Sequence, residues 1–291
     1  TGNLVLNNNS ATAAGITLTT TSVNNTGTIT CSGTNAGTGT VTITGGVGAN
    51  VTGIIQNSTT SALTISTTAL TVNASGTTLT NTSGTAVLTV SGGVTGTGNL
   101  VLNNNSATAA GITLSTTSVN NTGTITNSGS GAGDTLISAV IGTNVTKVTQ
   151  NSSTSSLTLT ATNTFTGGLD LTAGTLVATV AGSFGPAGNT LYFKGGNLEL
   201  RSAATTFTGK LDTTNAGGTI YINPASSGNG VTHTISGATT LGSNTIVISA
   251  GTLTNADTAY GLTLSGAATL SGNPTFTING NGSATGTLTM S

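Results

Sequence analysis

Four basic residues, five carboxylates and one histidine are the whole ionisable set of this 291-residue sequence, apart from one cysteine and three tyrosines. Paired carboxylates are the strongest chemistry such a set can offer. Glycoside hydrolysis needs two of them about 5–10 Å apart, and Asp170, Glu199 and Asp212 are spaced so that successive turns of a repeating chain can bring them together. Local parity speaks against that use. Asp170 lies between Leu169 and Leu171, Glu199 and Arg201 flank Leu200, and Lys210 and Asp212 flank Leu211. In an alternating strand all five point away from the apolar face. They are expected to be exposed and solvated or mutually paired, each pair contributing about 0–1 kcal/mol, without a tight carboxylate cluster. Aromatic residues are 3% and tryptophan is absent, which leaves little for a substrate platform. The sequence therefore predicts no catalytic residue and no enzyme.

The remaining candidates are isolated. His233 shares parity with Val231 and Ile235, yet Gly228-Asn229-Gly230 stands just before it. That cluster predicts a corner at which alternation restarts. A lone histidine has no second ligand of its kind, so no zinc site is expected. "GAGDTL" at 131–136, with Asp134, resembles a glycine–aspartate calcium turn, but such turns work as tandem arrays. No metal and no cofactor is expected. The single cysteine, Cys31, excludes a disulfide framework. Its counterpart in a second copy of the same stretch is Asn127, so it reads as a tolerated small residue rather than an intermolecular crosslink.

These residues are set into a nearly uncharged chain. Charged residues are 3%, against about 25% in ordinary domains, and the first of them is Asp134. A net charge of −1 supplies no field for nucleic acid or an anionic membrane. Apolar runs such as Leu4-Val5-Leu6 stop far short of the roughly 20 residues of a membrane-spanning helix, so no membrane insertion is expected. Thr1 is not a methionine and no charged leader with an apolar core follows it. The chain reads as a processed product or a fragment of a longer protein.

What positions the side chains is a repeat. Residues 1–30 and 97–126 are identical except that Thr19 becomes Ser115. "VTGIIQNSTTSALTIS" at 51–66 resembles "VTKVTQNSSTSSLTLT" at 145–160, and the offset falls from 96 to 94. The two-residue difference lies in the glycine-rich segment after Thr30, which predicts a turn with intact strands on either side. Inside each copy apolar residues alternate: Leu4 and Leu6, Ile16 and Leu18, Val41 and Ile43, Leu63 and Ile65, Leu70 and Val72, Leu88 and Val90. Threonine fills most of the gaps. Period two with β-branched residues between Gly, Asn and Ser punctuation reads as short strands. Two or three of them make a coil of roughly 20–30 residues, the size of one solenoid repeat. Monotonous Leu/Ile/Val inside, Thr outside and tandem duplication favour a parallel stack over an antiparallel sandwich. The absence of charge fits, because identical charges on adjacent rungs about 4.8 Å apart repel. The predicted fold is all-β, a right-handed parallel β-helix (β-solenoid) forming one continuous elongated rod. Residues 1–160 are its near-uncharged coils, with 1–66 resembling 97–160, and 161–291 continue it. The scarcity of aromatic residues predicts an interior too narrow for large rings.

At 159–178 the chain reads "LTATNTFTGGLDLTAGTLVA". This resembles the passenger-associated, or autotransporter-associated, β-strand repeat of bacterial secreted proteins. The match runs through Asn163, Thr164, Phe165, Thr166, Gly167 and Gly168, then Ala173, Gly174, Thr175 and Leu176. "GSFGPAGNTLYFKGGNLEL" at 182–200 continues it, and "ISAGTLTN" at 248–255 resembles a degenerate second copy. The resemblance implies a parallel β-helix exported to the bacterial surface, whose repeats aid passage and folding.

The function expected from the sequence is a non-catalytic extracellular or cell-surface structural solenoid: a stalk, an adhesin passenger or a subunit of a head-to-tail fibre. Its expected partners are its own copies end to end, or covalently neighbouring coils, and a cell-surface or matrix polysaccharide. One alternative is a polysaccharide-binding or polysaccharide-cleaving β-helix. Another is a threonine-array ice-binding protein, against which the irregular spacing of the strands speaks.

Overall fold

The computed structural model describes residues 2–10, 15–19, 21–34, 39–82 and 84–291. Among them there is no helix; short parallel strands stack as a β-solenoid. The chain divides into two compact units, Thr1–Thr146 with Thr154–Leu157, and Lys147–Ser153 with Thr158–Ser291.

In the first unit each coil visits three walls. One wall holds the strands Leu4–Asn7, Gly27–Ser32, Val51–Gln56, Thr77–Asn81, Leu100–Asn104 and Gly123–Asn127. A second holds Ile16–Leu18, Val41–Ile43, Leu63–Ile65, Leu88–Val90, Ile112–Leu114 and Thr135–Ile137. The third is thinner. There Leu70–Val72 pairs with Val94–Gly96, and single bridges join Val23 to Val47, Val47 to Leu70, Val94 to Val119 and Val119 to Ile141. Apolar residues stack on apolar residues: Leu63 pairs with Val41 and Leu88, Ile65 with Ile43 and Val90, all buried. Removing each such side chain from water stabilises by about 1.5–3 kcal/mol, and the stack needs nothing from beyond its neighbours.

The duplicated block folds twice in the same way. Leu4 and Leu6 pair with Ile29 and Cys31, as Leu100 and Leu102 pair with Ile125 and Asn127. The corner contacts repeat as well. The side-chain oxygen of Asn3 accepts the Thr28 N–H at 3.0 Å, and that of Asn99 accepts the Thr124 N–H at 2.9 Å. Asn24 accepts the Asn50 N–H at 2.8 Å, and Asn120 the Asn144 N–H at 2.9 Å. The copies are thus successive stretches of one parallel stack. The turn expected to absorb the two-residue length difference includes 35–38, which lie outside the described residues; the strands flanking it pair as expected, Ile16 with Val41 and Ile112 with Thr135.

One interior corner is polar. Cys31, Gln56, Asn81 and Asn104 follow one another in register on the first wall, and all are buried. Gln56 Nε2 donates to the carbonyls of Ser58 (2.9 Å) and Ser61 (2.8 Å). Asn81 Nδ2 donates to Ala86 (3.0 Å) and Gly111 (2.8 Å), and Asn104 Nδ2 to Gly133 (2.9 Å) and Asp134 (3.0 Å). At these turns the backbone leaves the ladder and its carbonyls need donors. The amides supply them from inside.

The second unit repeats the plan with larger side chains. Its first wall carries Leu169–Leu171, Thr190–Phe193, Lys210–Asp212, Thr239–Leu241 and Ala268–Leu270. Its second carries Thr175–Ala178, Asn197–Arg201, Gly218–Asn223, Thr245–Ala250 and Thr275–Ile278. Its third carries Thr206–Phe207, Thr232–Ile235, Tyr260–Leu264 and Gly286–Met290. The expectation of an interior too narrow for rings fails here. Phe165, Phe184, Phe193, Phe207 and Tyr260 are fully buried, and Phe184 and Phe207 lie 5.5 Å apart between ring centres. The scarcity of aromatic residues describes the first unit, since every aromatic residue of the sequence follows position 164.

The stretch that carries the family resemblance has a physical role at each end. Asn163 Nδ2 donates to the Ser183 carbonyl at 2.9 Å, and Phe165 plugs the core. Gly174 has φ +63°, and a Cβ there would stand 2.0 Å from the Ser152 carbonyl oxygen, so the close approach of adjacent rungs requires glycine.

Candidate functional site

Apart from Asp134 and Asp257, the charged side chains fall on two outward faces of the second unit. On the second wall, Glu199 and Arg201 stand two apart on the strand Asn197–Arg201. They form the expected ion pair, Nε to Oε1 at 2.7 Å. Asn223, from the next rung, donates its Nδ2 to the same oxygen at 2.7 Å. Glu199 is not exposed as expected: 13% of its side chain is accessible. It borders a cleft of about 320 Å³ lined by Thr175, Asn197, Glu199, Tyr221, Asn223 and the turn Ala250–Thr252. Glu199 and Tyr221 are register partners on adjacent strands. A Cβ at Gly251 would lie 2.3 Å from Asn223 Nδ2, so the bare residue keeps both the amide and the cleft wall in place.

On the first wall Asp170 is the focus. Lys147 Nζ lies 3.2 Å and Lys194 Nζ 2.8 Å from its Oδ2. Asp170 points outward as parity requires, but it is 7% exposed rather than solvated. Tyr192 pairs beside it, its ring near the Cα of Gly168, and Lys194 Nζ lies 5.8 Å from that ring's centre. Oδ1 is buried and has no hydrogen-bond partner. Asp212 follows Tyr192 in the same outward column. Its Oδ1 accepts the Thr214 N–H and hydroxyl at 2.8 and 2.7 Å. Asp170 and Asp212 are therefore two rungs apart, and Glu199 stands on another wall. The three candidate carboxylates are not brought together, and each has its own partners.

His233 corrects an expectation. It lies inside the strand Thr232–Ile235, fully buried, and not at a corner. The glycine-rich turn ends before it, and the parity with Val231 and Ile235 holds. Nδ1 accepts the Thr205 N–H at 3.3 Å, which fixes the tautomer, so Nε2 donates to the Asn223 carbonyl at 2.9 Å. Phe207 meets the ring edge-on at 5.6 Å. Burial lowers its pKa below the usual histidine value, opposed by these backbone hydrogen bonds. The imidazole is a core group bonded on both nitrogens.

The remaining candidates brace turns. Asp134 Oδ1 accepts the N–H of Ala110 at 2.6 Å, a residue held at φ 51°. Asp257, at φ 60°, accepts the Ser283 N–H and hydroxyl, and the backbone bond holds its carboxyl below the usual range. Among the described residues no three His, Cys, Asp or Glu side chains are grouped to hold a metal ion, and no helix is long and apolar enough to cross a membrane. Cys31 is buried, and burial pushes its thiol up to about 11.

Tyr221 and the amides of Asn197 and Asn223 complete the cleft. The alternation in "GTIYIN" places Tyr221 outward between Ile220 and Ile222. No sequence signal marks the two asparagines in a chain so rich in that residue.

In the first unit the second wall presents threonine. Thr17, Thr42, Thr64, Thr89 and Thr113 form one outward column in unbroken register, closed by Leu136. The irregular sequence spacing is taken up in the turns and leaves the column regular.

Comparison with protein-family models, with characterised proteins and with solved structures gives no match.

Proposed function

We propose that this chain is a non-catalytic structural β-solenoid of the bacterial cell surface or exterior, a stalk, adhesin passenger or fibre subunit related to the passenger-associated β-strand repeats. The observation that supports this reading is the duplicated block, whose two copies share register and corner hydrogen bonds. Such a stack lengthens by whole coils without redesign of a core, and its outward residues are neutral hydroxyls and amides rather than catalytic groups. End-to-end association of copies, or continuation into covalently neighbouring coils, is part of the proposal. Leu270 is 65% exposed, and Ile278 and Met290 are also exposed, while their register partners Leu241, Ile248 and Leu264 are buried. A further rung, from a second copy or from covalently neighbouring coils, would cover such apolar residues as each rung does its neighbour. The test is fractionation and antibody labelling of producing cells, with sedimentation of the purified chain. The reading predicts surface label, and any end-to-end assembly should be lost in Leu270→Lys with Ile278→Lys. Label confined to the cell interior overturns it.

A second reading draws on the column Thr17–Thr113. Its rungs repeat at about 4.8 Å, and among the described residues the hydroxyls of Thr17, Thr64 and Thr89 have no hydrogen-bond partner. A flat, regular and uncharged hydroxyl array can order water into an ice-like layer. Thermal hysteresis lost on Thr64→Lys with Thr89→Lys supports it; no hysteresis in the parent chain removes it.

A further inference from the structure

Outward columns of the first unit are largely Thr, Ser and Asn. The column Val177–Glu199–Tyr221–Ser249 on the second wall of the second unit departs from that rule, and it does so where the surface is concave. We propose that this cleft is a binding subsite for a neutral pyranose ring of a polysaccharide.

A pyranose presents vicinal hydroxyls, each both donor and acceptor, on a ring with an apolar C–H face. The cleft holds the complement of each. Glu199 Oε1 is saturated by Arg201 and Asn223, which orients the carboxylate, while Oε2 makes no bond within the protein. It stands ready to accept from a sugar hydroxyl. Asn197 uses its oxygen on the Thr219 N–H at 3.4 Å and leaves Nδ2 unbonded, so a donor lies on the same strand as the acceptor. Tyr221, one rung on and in register with Glu199, supplies a ring surface and an unbonded hydroxyl. Both are the amphipathic kind that contact sites favour. The carboxylate is already oriented and held by hydrogen bonds, so binding requires little reorganisation.

Charge and size narrow the ligand. Glu199 and Arg201 cancel, which leaves no net charge to attract a phosphate or a uronate. The free oxygen would repel either. A volume of about 320 Å³ lies at the small end of ligand sites, room for one ring. A single carboxylate without a second beside it can orient a glycan but lacks the paired arrangement of hydrolysis. This proposal does not rest on the stalk reading, since a surface solenoid can carry such a site or lack it.

The experiment is calorimetric titration of the whole chain with cellohexaose, laminarihexaose, mannohexaose and chitohexaose, each up to about 10 mM, below which weak specific recognition is measurable. At least one is expected to bind. Tyr221→Ala and Glu199→Gln should each weaken it by about ten-fold, or 1.4 kcal/mol, and Tyr192→Ala, on the other wall, should leave it unchanged. Thermal melting monitors each variant. If Tyr221→Ala lowers the melting point, Thr175→Arg, which obstructs the rim, replaces it. Failure of all four sugars to bind overturns the proposal. So does binding that survives Tyr221→Ala or Thr175→Arg in a folded chain, or sugar hydrolysis that Glu199→Gln abolishes.

Discussion

Cys31 and Asn127 occupy one position in two copies of the same coil and perform one task with different atoms. The Cys31 thiol lies 3.6 Å from the Ser61 carbonyl oxygen, and Asn127 Nδ2 donates to the Ser155 carbonyl at 2.8 Å. The second copy has a further bond, because the Thr135 hydroxyl donates to Asn127 Oδ1 at 3.0 Å. In the first copy the place of Thr135 is held by Val41, paired with Ile16 as Thr135 is with Ile112. Each copy is self-consistent, one with a thiol and a valine at the two positions, the other with an amide bonded to a hydroxyl.

Cys31→Asn alone should therefore destabilise the protein, although it copies a residue the duplicate already uses. It would bury an amide oxygen opposite Val41, at a cost of about 1–3 kcal/mol for an unsatisfied acceptor. Cys31→Asn with Val41→Thr should recover most of that loss. Denaturant melts of the four-member cycle measure the coupling. Equal stability of the single and double variants would mean that the corner does not discriminate.

The thiol should also be inert while the chain is folded. With full burial and a pKa pushed up to about 11, almost no thiolate exists at neutral pH. Cys31 is expected to react with a disulfide reagent only after denaturant is added, and purified chain should carry no intermolecular disulfide. Stoichiometric labelling in native buffer would contradict the placement of this strand.

How much of this was legible in the sequence differs between the apolar and polar interiors. The pairs Leu63 and Ile65, or Leu88 and Val90, announce inward strands because alternation is all that a buried wall asks of them. The regular column from Thr17 to Thr113 was not legible, because unequal spacing along the sequence hides that the strands return to register. Gln56, Asn81 and Asn104 were not legible as interior groups. Their burial depends on carbonyls at turns that only the folded coil brings near. His233 misled for a related reason: a Gly-Asn-Gly cluster marks a corner, but not the residue at which the strand resumes. For Asp170, parity gave the direction of the side chain and no hint of its cover, which comes from Lys147, Tyr192 and Lys194 on neighbouring rungs. The cleft beside Glu199 was half legible, through the charged pair and the outward Tyr221, because departures from threonine stand out in a chain this uniform.

Asp170 yields a prediction that separates one lysine from two. Each lysine side chain is 37% exposed, whereas the carboxylate is almost wholly buried. Removing either lysine as Lys147→Met or Lys194→Met leaves a partner and should cost under about 1 kcal/mol. Removing both strands a buried carboxylate and should cost about 2 kcal/mol, below the 3–5 kcal/mol of a fully buried pair because the lysines are partly solvated. Additive losses in the double variant would show that neither lysine compensates for the other.

The pH dependence of stability turns on His233. Its folded pKa lies below the unfolded value of 6.5, lowered by burial, so the unfolded chain binds the extra proton first. Stability contributed by the neutral ring is complete above 6.5 and falls as the pH drops through the window toward the folded pKa, by up to about 1.4 kcal/mol per pH unit. The structural cause is specific. Nδ1 already accepts from the Thr205 N–H, and a second ring proton would face that donor. Melting temperature should therefore decline from pH 7.5 to pH 5. His233→Gln should start lower, since the Asn223 carbonyl and Thr205 N–H lose a partner of the right length, but its melting should be flat across that window. A variant with the parent's slope would assign the proton to another group, and a parent that melts at the same temperature at both limits would show that protonated His233 is tolerated inside the coil.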